Sequence, residues 1–392
     1  MGKMTRNRKT QLIHSGRKTY QGMTPVNPPV MRASTILFES LEIWRDVRKR
    51  RENERLLSYG ARGTDNAFAL EQLVTELEGG YRAWLFPTGL AAIAMTIIGY
   101  ARSGGHVLFA DSIYEPVRKM ANAFLIPNNI QYDFFKTDGS DFESLLRPET
   151  QLIFVESPGS LLYEMLDLPA ICHIAHQRGI PVAVDNTWGS GYLYNPLKLG
   201  ADVSVIAATK YLCGHSDVMM GIIVANQDAW EKIGALPEVL GQCSSPDDAA
   251  LVLRGARTLA PRLEVHGQSA LLVAKWLQQR REVKKVWFPA LEDHPGHELW
   301  ERDCTGSNGL LTVEFKTQYN TTDSDNFINS LTLFGIGASW GGFESLVLPA
   351  NVHGARSATD WSTHGPFVRL HIGLEDVNDL INDLAQAFRV FQ

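Results

Sequence analysis

The sequence predicts an α/β protein in which helices sandwich a large, mostly parallel sheet, with a smaller α+β unit at the C-terminal end. Two features carry the prediction. From about residue 66, short apolar runs alternate with helical stretches, and the runs are apolar throughout, as strands buried on both faces require. The last third closes on a helix with a single apolar face, as a two-layer unit requires. The boundaries that follow are an N-terminal arm over residues 1–60, the main α/β domain over 61–258 and the C-terminal α+β domain over 259–392.

Taken in order, the arm carries Pro25, Pro28 and Pro29, which keep the backbone extended and withhold helix donors. With little core of its own, it is expected to lie on another surface, such as that of a partner subunit. The basic stretch 45–55 is interrupted by Glu52 and Glu54 and reads as a solvated helix face. A first strand at 83–86 turns through Pro87-Thr88-Gly89 into a helix over 90–100. The run 107–110 ends at Asp111 and precedes a helical stretch near 115–124. Runs at 152–155 and 181–184 end at Glu156-Ser157-Pro158 and Asp185, and 202–207 leads to Thr209-Lys210 before the apolar run 219–225. Polar residues just past the carboxyl ends of parallel strands converge on a ligand crevice. Thr88, Gly89, Glu156, Asp185, Thr209 and Lys210 are therefore candidate site residues.

Ser245-Pro246-Asp247-Asp248 is a strong helix start, with a capping hydroxyl, a first-turn proline and acids at the positive dipole end. One long helix is expected from it toward Leu277, bridging two domains. Strands at 310–315, 344–348 and 368–372 follow. The final helix places Val377, Leu380, Ile381, Leu384 and Phe388 on one face.

Composition narrows the function. The chain has 392 residues, 44% of them hydrophobic and 20% charged, which supports a sizeable core and argues against disorder. A formal charge of −6 argues against a dedicated nucleic-acid binder. The start, 1–10, is basic and polar, and no apolar run reaches the roughly eighteen residues of a membrane span, so neither secretion nor membrane insertion is expected. Cys172, Cys213, Cys243 and Cys304 stand apart without a Cys-x-x-Cys pair, which suits a reducing cytoplasm. His173 and His176 share a helix face, yet no carboxylate or third imidazole stands at a ligand spacing, and no metal is expected.

The chemistry centres on Lys210. Small residues and a hydroxyl (Ala207-Ala208-Thr209) precede it and Gly214-His215-Ser216-Asp217 follows, so a flat ligand can approach its amine. A lysine desolvated in such a crevice loses basicity and becomes a Schiff-base nucleophile. Asp185, at the end of the neighbouring run, caps a turn through Asn186-Thr187 or holds a pyridinium nitrogen protonated. Thr88-Gly89-Leu90 offers backbone amides at a helix start, where a phosphate binds. Lysine, aspartate and phosphate-cradling turn together describe a site for pyridoxal 5'-phosphate (PLP).

From Thr10 to about Asp376 the sequence also resembles the Cys/Met-metabolism family of fold-type I PLP enzymes. The most specific stretch is Ala208-Thr209-Lys210-Tyr211-Leu212-Cys213-Gly214-His215-Ser216-Asp217. Glu156-Ser157-Pro158, Val184-Asp185-Asn186-Thr187-Trp188, Ser339-Trp340-Gly341-Gly342 and Val368-Arg369-Leu370 follow the family's order. The resemblance implies a seven-stranded sheet domain and places the cofactor on Lys210, with Asp185 at the ring nitrogen and Tyr114 on the ring face. It further implies that Gly89, Leu90 and Thr209 hold the phosphate, and that Arg369 takes the substrate carboxylate, helped by Ser339 and Trp340. Tyr59 would reach the cofactor phosphate of a neighbouring subunit, and Arg62 is the candidate for a second contact there. Lys210, Tyr114 and Tyr59 are the implied catalytic groups. The implied activity is carbon–sulfur β-elimination from a thioether amino acid such as L-cystathionine, in methionine biosynthesis, by a cytoplasmic homotetramer built from two dimers. The alternatives are a γ-type relative and a broad cystine or cysteine-conjugate β-lyase.

Two positions depart from the family's pattern. Ala61 stands where an arginine is expected, and one residue along an extended chain reverses side-chain direction, so Arg62 is expected to point elsewhere. Ala338 replaces the glutamate of γ-eliminating relatives without supplying the bulky aromatic of β-lyases, and leaves room near the distal part of the substrate. Trp340, where γ-enzymes tend to show leucine, tips the balance toward β-elimination.

Overall fold

The computed structural model describes residues 7–391; the first six residues of the basic start lie outside the described residues. Seven strands form the larger sheet: β1 (Arg82–Phe86), β2 (His106–Ala110), β3 (Gln131–Phe135), β4 (Thr150–Glu156), β5 (Val182–Asp185), β6 (Val203–Ala207) and β7 (Gly221–Ala225). Their order is β1-β7-β6-β5-β4-β2-β3, and only β7 runs against the rest. Continuous apolar strands arise because both faces are covered. Along β1, Ala83 and Leu85 join one core cluster while Trp84 and Phe86 join the other, and Ile222/Val224 and Ile223/Ala225 divide in the same way along β7.

The second sheet has the order β10-β11-β12-β9-β8, from β8 (Val283–Trp287), β9 (Leu310–Phe315), β10 (Gly335–Ile336), β11 (Leu346–Pro349) and β12 (Phe367–His371). The final helix, Val377–Ala387, buries Leu380 and Leu384 in the core of this sheet. The two sheets are tied together near the ligand edge. The buried Asp111 carboxylate accepts the amides of Ser357 at 2.9 Å and Ala358 at 3.0 Å, and the buried Arg356 makes a two-pronged bond to Glu164 at 2.9 and 3.0 Å.

Three expectations need correction. The helix opened by Ser245 does not run unbroken to Leu277: it stops at Ala256, and a second helix, Leu259–Leu277, follows. Pro261 supplies the reason, since its ring would clash with the Arg257 carbonyl one turn back, whereas a first-turn position needs no N–H. The stretch 115–124 divides into Glu115–Met120 and a wider π-type turn, Ala121–Leu125. Strands β3, β8 and β10 were not anticipated, because each lies on a sheet edge and carries exposed residues. In the arm, Ser40 caps the helix Leu41–Arg50, which buries none of its residues.

Candidate active site

Parallel topology brings the ends of β2, β4, β5 and β6 to one edge, and the candidate residues stand along it. Lys210 follows β6 in a tight turn whose Lys210 amide bonds the Ala207 carbonyl at 3.1 Å. Its Nζ donates to the Ser339 hydroxyl and lies 5.3 Å from the centroid of the Trp340 ring. Burial, with the Arg369 guanidinium adding to it and Asp185 opposing it, brings the amine down to about 8.

Asp185, at the end of β5, is paired in register with Glu156 at the end of β4. One oxygen of Asp185 accepts the Thr187 amide at 3.0 Å and its hydroxyl at 2.6 Å, and that hydroxyl accepts the Ala207 amide at 2.9 Å, linking β5 to β6. Glu156 accepts the Tyr114 amide at 2.6 Å and the Ser160 hydroxyl at 2.7 Å. Burial raises both carboxyls, Glu156 well above the usual range, and the Asp185 charge lifts Glu156 further. The Tyr114 hydroxyl is also raised, by burial first and then by Glu156 and Asp185, so it stays protonated.

Arg369 lies on β12, and its Nη2 donates to the Ser339 carbonyl at 3.1 Å. Ser339 therefore touches both cationic residues, through its hydroxyl and its carbonyl, and does so at φ +85°, a left-handed conformation that costs a non-glycine residue about 1 to 3 kcal/mol.

The helix Gly89–Tyr100 begins at Thr88, whose hydroxyl accepts the Ala91 amide at 3.0 Å, leaving the Gly89 and Leu90 amides without an intrahelical acceptor. Gly89 has to be glycine: a Cβ would come within 2.6 Å of the Ala207 methyl. The Thr209 hydroxyl accepts the Met220 amide at 2.9 Å. Thus Lys210, Asp185, Tyr114, Arg369, Ser339 and Trp340 form one electrostatically coupled cluster, and Gly89, Leu90 and Thr209 line the adjoining turns. Among the described residues, Tyr59 and Arg62 make no hydrogen bond or ion pair with that cluster. Tyr59 is half-exposed, and Arg62 pairs with Glu238 and Glu52, so its side chain does point elsewhere within its own chain. Sequence reasoning singled out Glu156 by position without giving it a role, and it passed over His371, two residues after Arg369.

A lysine brought to reduced basicity, a buried carboxylate, an aromatic and a helix start with free amides thus stand together on the carboxyl edge of this sheet. The chain belongs to the family of Cys/Met metabolism PLP-dependent enzymes, which it matches over residues 9–389. It is 48% identical over 386 residues to the cystathionine beta-lyase of Bordetella avium, with 96% of each chain covered. It is 40% identical over 387 residues to cystathionine beta-lyase MetC of Escherichia coli strain K12, with 97% of each covered. A crystal structure of MetB from Corynebacterium glutamicum superimposes with a TM-score of 0.89 at 29% identity over 99% of both chains. The residues present fit the cofactor: the Gly89 and Leu90 amides at the helix start, without an intrahelical acceptor, suit a phosphate, the buried Asp185 carboxylate suits a pyridinium N–H, and the Lys210 amine of lowered basicity suits an aldehyde.

Proposed function

We propose that this protein is a PLP-dependent carbon–sulfur β-lyase that cleaves L-cystathionine to homocysteine, pyruvate and ammonia. The observation that carries the reading is the convergence of Lys210 and Arg369 on Ser339 beside Asp185, in a chain 48% identical to a cystathionine beta-lyase. Gly89, Leu90 and Thr209 would hold the cofactor phosphate, Asp185 would keep the ring nitrogen protonated and Tyr114 would cover the ring face. Bound there, PLP supplies the electron sink for the bonds broken at the substrate's Cα and Cβ.

The remaining work falls to the chain's own residues. Arg369 receives the α-carboxylate as a two-pronged fork, and Ser339 and Trp340 fix its approach. Lys210, its basicity lowered to about 8, takes the Cα proton as a neutral amine. The leaving sulfur receives its proton from Lys210 or from the Tyr114 hydroxyl, which burial keeps protonated. Ala338 is exposed and small, leaving room for the distal half of the thioether. Tyr59 is assigned to the phosphate of a neighbouring copy, in a homotetramer of two dimers, while Arg62 stays with Glu238 and Glu52 of its own chain. Four unpaired cysteines support a reducing, cytoplasmic setting for a step of methionine biosynthesis.

The test is product analysis with L-cystathionine. Pyruvate without 2-oxobutyrate is expected, together with borohydride-dependent labelling of Lys210. Predominant 2-oxobutyrate would replace the reading with γ-elimination, and failure to label Lys210 would remove it.

A further inference from the structure

Beneath the turn that carries Ser339 lies a buried imidazole with no part in the chemistry above. His371 ends β12 two residues after Arg369, so both side chains leave the strand on the same face. Its Nε2 accepts the Gly341 N–H at 3.1 Å, and its Nδ1 stands 3.0 Å from the Glu344 carbonyl. Arg369 holds the Ser339 carbonyl at 3.1 Å. Two side chains from one strand thus grip the turn at positions 339 and 341.

That turn needs holding. Ser339 and Gly341 both have positive φ, at +85° and +87°. Gly341 presses on the backbone that presents the amine: a Cβ there would be 2.8 Å from the Tyr211 nitrogen and 3.0 Å from the Lys210 Cα. Conformations of this kind persist only where the surroundings over-determine them.

The two partners of the ring assign its tautomer. A carbonyl requires a donor, so Nδ1 carries the hydrogen, and an amide requires an acceptor, so Nε2 is bare. Burial, reinforced by His266, Arg369 and Lys210, keeps the ring neutral, with its pKa down to about 3.

We propose that His371 is a positioning residue of the reaction: as a neutral Nδ1–H imidazole it clamps the Ser339–Gly341 turn over Lys210 and so sets the relative placement of the amine and the Arg369 fork. The role rests on the reading of Lys210 and Arg369 given above, while the tautomer itself does not.

The test compares His371→Leu and His371→Asn in the holoenzyme, with rates expressed per bound cofactor. Leucine leaves the Gly341 amide and Glu344 carbonyl unpaired; kcat/KM is expected to fall about 100-fold, with KM raised and kcat lowered together, and the visible circular dichroism of the bound cofactor is expected to change. Asparagine keeps a donor at the Nδ1 position for the Glu344 carbonyl, while its oxygen falls short of the Nε2 position, so its impairment is expected to lie between that of leucine and the parent. Parent-like kcat and KM in the leucine variant, or equal impairment in both variants, overturns the proposal. Should the leucine variant not fold, the 15N resonances of His371 in the unaltered holoenzyme decide. An Nδ1–H ring unchanged from about pH 5 to about pH 9 supports the clamp, and an Nε2–H ring or a titration in that range refutes it. Borohydride labelling of Lys210 in the unaltered enzyme tests the underlying site reading separately.

Discussion

Replacing Glu78 by glutamine is expected to stabilise the protein more at alkaline than at acid pH. Glu78 ends the helix Asp65–Glu78 and is fully buried. One of its oxygens accepts the Asn186 side-chain amide at 2.7 Å and the Ser204 hydroxyl at 3.0 Å, while the other has no hydrogen-bond partner. Burial raises the carboxyl from the ordinary 4.5 to about 7, against the weaker pull of those two donors and of Arg8 and Lys198. Because the folded form then holds the proton more tightly than the unfolded chain, stability falls as pH rises between those two values. At about 1.4 kcal/mol per pH unit, the full cost above both values is about 3.4 kcal/mol, of which about 2.5 kcal/mol accumulates between about pH 5 and about pH 8. Glutamine keeps the acceptor for Asn186 and Ser204 and cannot ionise. Its buried NH2 group adds a cost that does not vary with pH. Unfolding free energies of parent and Glu78→Gln from denaturant titrations, measured at both pH values and fixed ionic strength, should therefore diverge by about 2.5 kcal/mol in favour of the variant on going to the higher pH. A difference independent of pH would refute the reasoning, since it would mean that water or a counter-charge reaches the unpartnered oxygen.

Two further outcomes are expected. Gly341→Ala places a methyl at φ +87° against the Lys210–Tyr211 backbone, 2.8 to 3.0 Å from its atoms, so kcat per bound cofactor should drop about 100-fold; an unchanged kcat would show that the turn yields freely. Arg356→Lys keeps the buried charge but loses the fork on Glu164 and the bond to the Ser160 carbonyl, and should cost about 2 to 3 kcal/mol in chemical denaturation. A loss under about 0.5 kcal/mol would mean that the tie between the two sheets is dispensable.

Several features were legible before any fold was known, because local chemistry decides them. An unbroken apolar run such as that in β5 or β7 has no solvent face to offer, which makes it a strand inside a covered sheet. Residues past such runs share an edge by topology alone, so Asp185 and Lys210 could be placed together although 25 positions separate them. Ser245 capped its helix as its hydroxyl and the following acids require. Where the local signal was mixed, it failed. The sheet-edge strand β3 reads Gln-Tyr-Asp-Phe-Phe and fully buries only its last residue, so alternation and continuity were both absent.

The amino-acid order by itself determined the α/β class and the coenzyme, and singled out Lys210 as the lysine proposed to bear it, since these depend on periodicity and on short strings of residues with fixed chemistry. Tertiary structure alone decided that Ser339 would join Lys210 to Arg369, that His371 would meet the Gly341 amide 30 positions away, and that Glu78 would be enclosed beside Asn186 across 108 positions. Those pairings have no periodic signature: a hydrogen bond or a dry carboxylate between distant segments exists only once packing has excluded water and fixed both backbones, and nothing in either local string encodes its partner.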